Sequence, residues 1–391
     1  MADTLRGKTA IIGAADTQVG VVPSMGATQL CIDAILRALH DAGIGKDEVD
    51  GLMTCNSMAD PYLYHAEAMA EYLQIFPAYC NSIGAGGGTT FAAVQQAASA
   101  IVSGVCQTVV IASAESLRSG LSRERAMAAQ SSTGHPQFEG PYGAPVPAYY
   151  ALIARAHMHE FGTTSEQLAA VAVSTRLHAA RNPTAQMRTP MSIDDVLNSR
   201  MIADPLHLLD CSLVSDGGSA IVMTSAARAR SAKQKPVYLL GAGEGHGHEH
   251  ISAARSLTRS AAADAGRRAY QMAGVAPKDI DFAELYDCFT PVVLIELEDL
   301  GFCAKGEGGA FVATGATQPG GTFPVNTHGG LLSHCHPGNP GSMFALTEAV
   351  QQLRGNAGER QLRKADLALV HAQGGIMSSH CTLILGREAT R

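Results

Sequence analysis

The residues best suited to chemistry in this chain of 391 amino acids lie in four short segments. Three of them carry titratable side chains, in the sequences YDC from Tyr286, CHPG from Cys335 and HAQGG from His371. The fourth is the glycine-rich run Gly84–Gly88, which precedes a helical pattern that begins near Thr89. Its backbone N–H groups and the positive end of the helix dipole can hold a carbonyl oxygen as negative charge develops there. The same run can also be read as a simple tight turn.

Three histidines occupy alternating positions in the sequence GEGHGHEH, at His246, His248 and His250. In an extended segment this alternation points all three imidazoles to one side, as a zinc site would require. Gly245 and Gly247 loosen the segment, however, and no cysteine joins it. We therefore predict no metal site here and interpret the segment as a loop that borders the substrate entrance.

The composition limits the classes of function. A net charge of −7 provides no basic surface for a nucleic acid, and no run approaches the roughly 18 apolar residues that a membrane-spanning helix needs. The nine cysteines form no CxxC pair, so no disulfide framework is predicted. The first 15 residues contain only the short apolar run AIIGAA, which predicts a first strand rather than a signal peptide. We expect a cytoplasmic protein that binds neither nucleic acid nor membranes.

A weak internal repeat organises the chain. Two amphipathic helices are predicted at Ala27–Ala42 and Ala261–Ala273, and the sequences AGIGKDEVD and AGVAPKDID follow from their last residues. Gly43 and Gly274 stand where each helix should end in a left-handed residue. A charged turn and then a strand follow in both copies. The matched order of helix, glycine, turn and strand indicates a duplication.

A second pair of segments supports two α/β halves. The strands Val109–Ser113 and Leu367–His371 each follow a predicted helix, and such alternation predicts a mainly parallel sheet in each half. We place the first half at residues 1–230 and the second at 235–391. Between about residues 115 and 204 the pattern loosens and Gly, Pro and His cluster, which predicts a loop subdomain inserted into the first half.

Five segments in the correct order resemble the thiolase superfamily, most closely its sterol-carrier and lipid-transfer branch. They are PAYCNSIGAGGGTTFAAVQQAASAIVSG, SDGGSAIVM, YDCF, VNTHGGLLSHCHPGNPG and HAQGGIMSSHCTLIL. The resemblance implies a duplicated fold of five layers, α-β-α-β-α, with the active site at helix termini. It also implies a homodimer and coenzyme A thioester substrates, with no tightly bound cofactor. Relatives often pair with a small OB-fold, zinc-ribbon protein, so the resemblance implies such a partner as well.

The resemblance also shows that the family nucleophile is missing. In the family a cysteine stands at the start of the helix that begins here near Thr89. Counting back from the end of this helix places that position at Gly87, and counting forward from the preceding strand places it at Ala85. No residue of Gly84–Gly88 has a nucleophilic side chain, so a covalent acyl-enzyme loses its central atom. The backbone of Gly86, Gly87 and Gly88 still remains as an oxyanion site.

The second family cysteine, the acid/base of the last loop, is also missing. Its C-x-G-G pattern falls on the residues from Ala372 to Gly375, so the backbone of Gly374 and Gly375 is a further candidate for the oxyanion site. His371 lies next to this pattern and can supply a group that titrates near neutral pH. It can equally be a hydrogen-bonded structural histidine.

Two other residues at family positions retain chemical potential. His336 stands where the family histidine polarises the thioester oxygen. Tyr286 replaces the family His or Asn, and in this it resembles the aldolase-type lipid-transfer proteins, which also lack the nucleophilic cysteine. Resemblance to these aldolase-type proteins implies retro-aldol cleavage of a β-hydroxyacyl-CoA, with Tyr286 as the acid/base and His336 as part of the oxyanion site. These relatives carry a second tyrosine where this chain has His336, which leaves the assignment open.

The remaining candidates have supporting roles, and two other functions stay open. Asp287 is expected to hold loops through backbone hydrogen bonds, while Cys288, Cys335 and His380 lie near the expected site. One alternative is ordinary thiolase acyl transfer by a relocated cysteine. The other is a non-catalytic subunit that binds acyl-CoA or serves as a scaffold.

Overall fold

A computed structural model describes residues 5–122, 124, 125 and 133–390. Residues 123 and 126–132 of the predicted loop subdomain lie outside the described residues. The strands are β1 Thr9–Asp16, β2 Gly51–Cys55, β3 Tyr79–Ile83, β4 Thr108–Ser116, β5 Met201–Ala203, β6 Leu206–His207, β7 Asp216–Ser225, β8 Val237–His246, β9 Phe282–Glu284, β10 Leu367–Gly374 and β11 Ser379–Gly386.

The described helices fall between these strands, and several short 3-10 turns join them. They are α1 Ala27–Ala42, α2 His65–Leu73, α3 Thr89–Val102, α4 Val146–Phe161, α5 Ser165–Ala179, α6 Ile193–Leu197, α7 Ala226–Ala229, α8 Ala262–Ala273, α9 Thr290–Asp299, α10 Gly308–Ala313 and α11 Gly341–Arg354. No helix in this part of the chain is long and apolar enough to cross a membrane.

The duplication predicted from the sequence is confirmed in detail. Helix α1 ends at Gly43 with φ of 73°, and α8 ends at Gly274 with φ of 65°. Only glycine adopts this left-handed backbone at little cost, so each glycine ends its helix at a fixed residue. A 3-10 turn follows in both copies, at Lys46–Glu48 and Pro277–Asp279, and each leads into a strand, β2 or β9.

Within the described residues, nine of the strands form one sheet in the order β3-β2-β4-β7-β1-β8-β11-β10-β9. Read outward from the β1–β8 contact at its centre, the two halves have the same topology, because β7, β4 and β2 correspond to β11, β10 and β9. An isolated parallel bridge between Ala283 and Val325 takes the place of β3 in the second half. The expectation of a mainly parallel sheet is wrong. Of the eight strand pairs in this sheet, five are antiparallel, because β7 and β11 return along the strands before them.

Two buried helices connect the halves. Helix α3 contacts strands of the first half and also β8, β10 and β11 of the second. It also contacts α11, where the hydroxyls of Thr90 and Ser342 lie 2.7 Å apart. Both helices begin with small residues, which lets their N-termini approach closely. The loops that precede them are therefore brought to one place.

The region between β4 and β7 contains α4, α5 and α6 and packs against the second half. His157 of α4 contacts the buried carboxylate of Glu298, with its Nε2 atom 3.1 Å from both carboxylate oxygens. Lys305 pairs with the same carboxylate at 3.0 Å. Tyr150 of α4 is buried and stacks on Phe289, with ring centroids 4.4 Å apart. The subdomain thus reaches the loop in which the YDCF sequence ends.

Candidate active site

Tyr286 and His336 lie in direct contact, although 49 residues separate them along the chain. The Tyr286 hydroxyl lies 3.2 Å from Nε2 of His336, and the two rings meet edge to face. Tyr286 stands just after β9, and His336 stands in the loop before α11. The structure therefore joins two of the three residues that the sequence proposed as catalytic.

Two serines hold the His336 loop, and the sequence reasoning missed both. The Oγ atom of Ser212 lies 2.7 Å from Nδ1 of His336, and Oγ of Ser215 accepts the backbone N–H of His336 at 2.9 Å. The Ser212 hydroxyl can accept a proton from Nδ1 or donate one to it, and in the tautomer protonated at Nδ1 the lone pair of Nε2 faces Tyr286. Ser215 opens the SDGG motif, but no sequence signal points to Ser212.

A buried carboxylate shapes the turn that leads to His336. The side chain of Asp287 accepts the backbone N–H groups of Leu331 at 2.7 Å and Leu332 at 3.3 Å. These residues belong to a short π-helical turn, Gly330–His334. Gly330 has φ of 58°, and a Cβ atom there would collide with the Asp287 carboxylate. Burial raises the pKa of Asp287 to about 6, against the lowering effect of these hydrogen bonds.

The glycine-rich loop meets Tyr286 at Gly87. A Cβ atom on Gly87 would lie 2.5 Å from the Tyr286 hydroxyl oxygen and 2.5 Å from the carbonyl oxygen of Gln373. Real Cβ atoms do not approach this closely, so any side chain at Gly87 must displace the phenol. The hydroxyl of Tyr286 thus occupies the space next to the position where counting from the helix placed the family cysteine.

The other candidate glycines surround the same point. A Cβ atom on Gly86 would lie 2.7 Å from Cα of Gly374 and 2.8 Å from the backbone nitrogen of Gly375, so the two glycine loops are in van der Waals contact. Gly88 packs against Cys381, whose sulfur would be 3.2 Å from an added Cβ atom. The Tyr150 hydroxyl fixes the second loop by donating to the carbonyl of Gly375 at 3.0 Å. Backbone, rather than side chains, lines this side of the site.

Burial keeps the Tyr286–His336 pair uncharged. It lowers the pKa of His336 to about 4, because the imidazolium form would lose its hydration. It also raises the pKa of Tyr286 well above 10, and the nearby Cys288 and the Asp287 and Glu296 carboxylates add to that effect. At neutral pH the pair is therefore a phenol that can donate to a neutral imidazole, and the imidazole is able to accept a proton.

The cysteines near the site are poor nucleophiles. Burial raises the pKa of the Cys288, Cys335 and Cys381 thiols well above the ordinary value. Cys80 lies within β3, and burial raises its pKa to about 11. The sulfur of Cys288 accepts a hydrogen bond from the amide of Gln373 at 3.2 Å. A thiolate at any of these positions would be strongly disfavoured at neutral pH.

The other histidine candidates lie in different places. His371 and His380 are fully buried on neighbouring strands, with Nε2 of His371 3.1 Å from Nδ1 of His380. His246 is exposed at the end of β8 and lies near Ser379, while His248 contacts the carbonyl of Ile376 at 2.9 Å. His250 instead packs edge to face on His135. The three alternating histidines therefore contact different partners.

Comparison with known proteins agrees with this geometry. Residues 9–227 match the family model of the thiolase N-terminal domain, and residues 243–387 match that of the thiolase C-terminal domain-like family. The chain belongs to the thiolase family. This thiolase-family chain has the thiolase fold, with its large central mixed sheet and its two related halves.

Its relatives include enzymes of two activities. It is 38% identical to a 17-hydroxy-3-oxo-4-pregnene-20-carboxyl-CoA lyase of Mycobacterium tuberculosis, over 98% of this chain and 100% of that protein. It is 34% identical to an acetyl-CoA acetyltransferase of Methanothermobacter thermautotrophicus, over 97% of this chain and 99% of the relative. A solved structure, the Ltp2-ChsH2(DUF35) aldolase, superimposes with a TM-score of 0.87 at 36% identity and covers 98% of both chains. Family membership alone therefore does not identify the reaction, which must be inferred from the residues of the site.

The contact at Gly87 predicts a specific loss of stability. Gly87→Ala should lower the free energy of unfolding by about 1–3 kcal/mol, as expected when a buried site is overpacked. Gly84→Ala is the matched control, because an added Cβ atom there has no described atom within 4 Å. It should change stability by less than about 0.5 kcal/mol. Urea unfolding followed by circular dichroism measures both, and equal midpoints for the two variants would contradict the packing described here.

Proposed function

We propose that this protein cleaves a β-hydroxyacyl-CoA by a retro-aldol reaction. The observation that carries the proposal is the Tyr286 hydroxyl, which lies against the Gly87 backbone and 3.2 Å from Nε2 of His336. In this proposal the phenol and the imidazole accept a proton at the point where an acyl-transfer enzyme of the fold would need a thiol. The lyase and aldolase among the similar proteins support this choice.

The proton in this reaction moves along the pair of side chains. The β-hydroxyl proton of the substrate passes to the oxygen of Tyr286 while the Tyr286 proton passes to Nε2 of His336. The electron pair of the broken O–H bond forms the new C=O bond, and the pair of the Cα–Cβ bond moves into the thioester as an enolate. Return of the proton from His336, through Tyr286, to Cα of the enolate yields the shortened acyl-CoA. His336 ends the cycle neutral, as it began.

The enolate oxygen requires donors that do not themselves react. The N-terminus of α3 and the glycine backbone before it supply N–H groups and a partial positive charge at this place. Gly86 and Gly87 are the donors that we assign, with Gly374 and Gly375 across from them. The sequence also predicted Gly88, but its N–H donates to the carbonyl oxygen of Ala85 at 3.0 Å, so we assign it no role toward the substrate. His371 was a catalytic candidate from the sequence, but we assign it no role in this reaction, because its ring contacts Thr382 and His380 rather than Tyr286.

The proposal also includes the oligomeric state, a partner subunit and the cellular location. Strand β3 is an edge strand, and Leu63, Tyr64 and Phe76 are strongly exposed in the segments on either side of α2. Open strand edges and exposed apolar side chains favour association, so we propose a homodimer. The aldolase structure bears a two-component name, Ltp2-ChsH2, and this supports a second, small subunit for the present chain. We place the enzyme in the cytoplasm, with coenzyme A entering only as part of the substrate.

The role of Tyr286 is tested by Tyr286→Phe. Loss of the hydroxyl should reduce kcat for cleavage of a β-hydroxyacyl-CoA by about 10²–10⁴-fold, the usual contribution of acid–base catalysis, and leave CoA binding unchanged. Tyr142→Phe is the matched control, because Tyr142 is 85% exposed. Turnover is measured by release of the carbonyl product with any small subunit present. Unchanged turnover in Tyr286→Phe would refute the assignment.

The low pKa of His336 predicts the pH dependence. The imidazole accepts a proton only when neutral, and with a pKa of about 4 it is neutral above that pH and protonated below it. As the pH is lowered, kcat/KM should therefore fall near pH 4 rather than near pH 6.5, where an exposed histidine titrates. The measurement is a rate profile from pH 4 to 8, with folding followed by circular dichroism at each pH. An acidic limb near pH 6.5 would contradict a buried neutral acceptor.

Absence of a nucleophile predicts absence of a covalent intermediate. Intact-protein mass spectrometry after mixing with an acyl-CoA should show no added acyl mass, because the described thiols near the site have raised pKa values. An acyl adduct on the unmodified chain would favour acyl transfer by a relocated cysteine instead.

A further inference from the structure

A second group of buried polar side chains lies beside the site and has no part in the proposed reaction. It comprises Glu296 of α9, His371 of β10 and His380 of β11, all of them essentially inaccessible to solvent. One ligand-type atom from each, namely a carboxylate oxygen and two ring nitrogens, lies within 4.8 Å of the other two. Nε2 of His371 lies 3.1 Å from Nδ1 of His380 and 3.7 Å from Oε1 of Glu296.

The outer nitrogens of both rings face oxygen atoms. Nε2 of His380 lies 3.1 Å from the carbonyl oxygen of Met377, which can only accept, so this nitrogen carries the proton and Nδ1 of the neutral ring has a lone pair. Nδ1 of His371 lies 2.7 Å from the hydroxyl oxygen of Thr382. When it donates there, its Nε2 lone pair faces the same point as Nδ1 of His380. Outer hydrogen bonds of this kind orient histidines that bind metals.

The carboxylate of Glu296 provides evidence for a ligand that is independent of the histidine contacts. Glu296 is 0% exposed, and its Oε1 atom has no hydrogen-bond partner among the residues that the structure describes. Its other oxygen accepts the backbone N–H of Tyr286 at 3.1 Å. An unpaired buried carboxylate oxygen is costly, and a cation or a proton must compensate it. This oxygen lies 3.7 Å from Nε2 of His371, the nitrogen that faces His380.

We propose that Glu296, His371 and His380 bind one divalent transition-metal cation of the zinc type. Zinc holds nitrogen ligands at about 2.0–2.1 Å, so two nitrogens of a tetrahedral site lie about 3.3 Å apart, close to the spacing seen here. Two imidazoles and a carboxylate are an ordinary ligand set for this ion and leave a fourth position for water. The cation would fix Glu296 and, through the Tyr286 N–H, the end of the segment that carries the phenol.

A cavity lies next to the turn that contacts the cluster. The turn from Gly375 to Ser378 contacts the cluster through the carbonyl of Met377, a residue with a φ of 55°. Ile376 and Met377 also line a cavity of about 420 Å³, together with His246 and His248. Rearrangement of this one turn would connect the buried ligands with the cavity and its solvent.

Titration of the full chain with Co²⁺ alone, after treatment with a chelator, tests the proposal. One equivalent should bind and give the visible absorption of four-coordinate cobalt, without thiolate charge-transfer bands from the free cysteines. Glu296→Gln and His380→Ala should each lower the affinity by at least about 10-fold, because the first removes the negative charge of a ligand and the second removes a ligand. His246→Ala is the control, since the side chain of His246 is 56% exposed. It should bind cobalt as the unmodified chain does.

The controls keep the outcome decisive. Far-UV circular dichroism checks the fold of each variant, and Glu296→Gln preserves volume and one hydrogen-bond acceptor if His380→Ala does not fold. A cobalt-dependent rise in Tm should occur in the unmodified chain and be lost in Glu296→Gln, since a ligand stabilises the state that it binds. No binding by the unmodified chain would overturn the proposal. So would binding that survives in Glu296→Gln or disappears in His246→Ala.

Discussion

The site depends on one steric constraint, the contact between the Gly87 backbone and the hydroxyl of Tyr286. The space beside Gly87 holds either a side chain on that residue or the phenol, because an added Cβ atom would lie 2.5 Å from the phenol oxygen. Glycine at this position therefore has two consequences. It leaves the loop without a nucleophilic side chain, and it leaves the space that the phenol occupies. The phenol contacts His336, whose ring contacts Ser212 and whose backbone N–H donates to Ser215.

The duplicated fold explains how these parts meet. Tyr286 follows a strand of the second half, Gly87 precedes a helix of the first, and His336 lies in the loop before the second central helix. Helices α3 and α11 begin side by side, so their preceding loops share one location. Buried carboxylates then hold the loops in shape. Asp287 accepts two backbone N–H groups of the turn that leads to His336.

The thiolase family provides a frame in which different reactions can be placed on similar loops. The similar proteins include an acetyltransferase and a lyase at nearly the same identity to this chain, so overall similarity does not choose between them. The distinction lies in a few side chains at one point of the fold. At that point this chain has a buried, uncharged pair of tyrosine and histidine, and its neighbouring thiols have raised pKa values. These features favour proton transfer over attack by sulfur.

The sequence by itself determined the elements, the duplication and the residues that remain at family positions. Helix periodicity and the left-handed glycines Gly43 and Gly274 are local properties, so they could be read from spacing alone. Only the tertiary structure decided that Tyr286 contacts His336, that Ser212 supports it, and that His371 belongs with His380 and Glu296. It also decided strand direction, since β7 and β11 pair through contacts that local patterns do not encode. Contacts between residues far apart in the chain, and the shifts in pKa that follow from burial, arise only when the chain is packed.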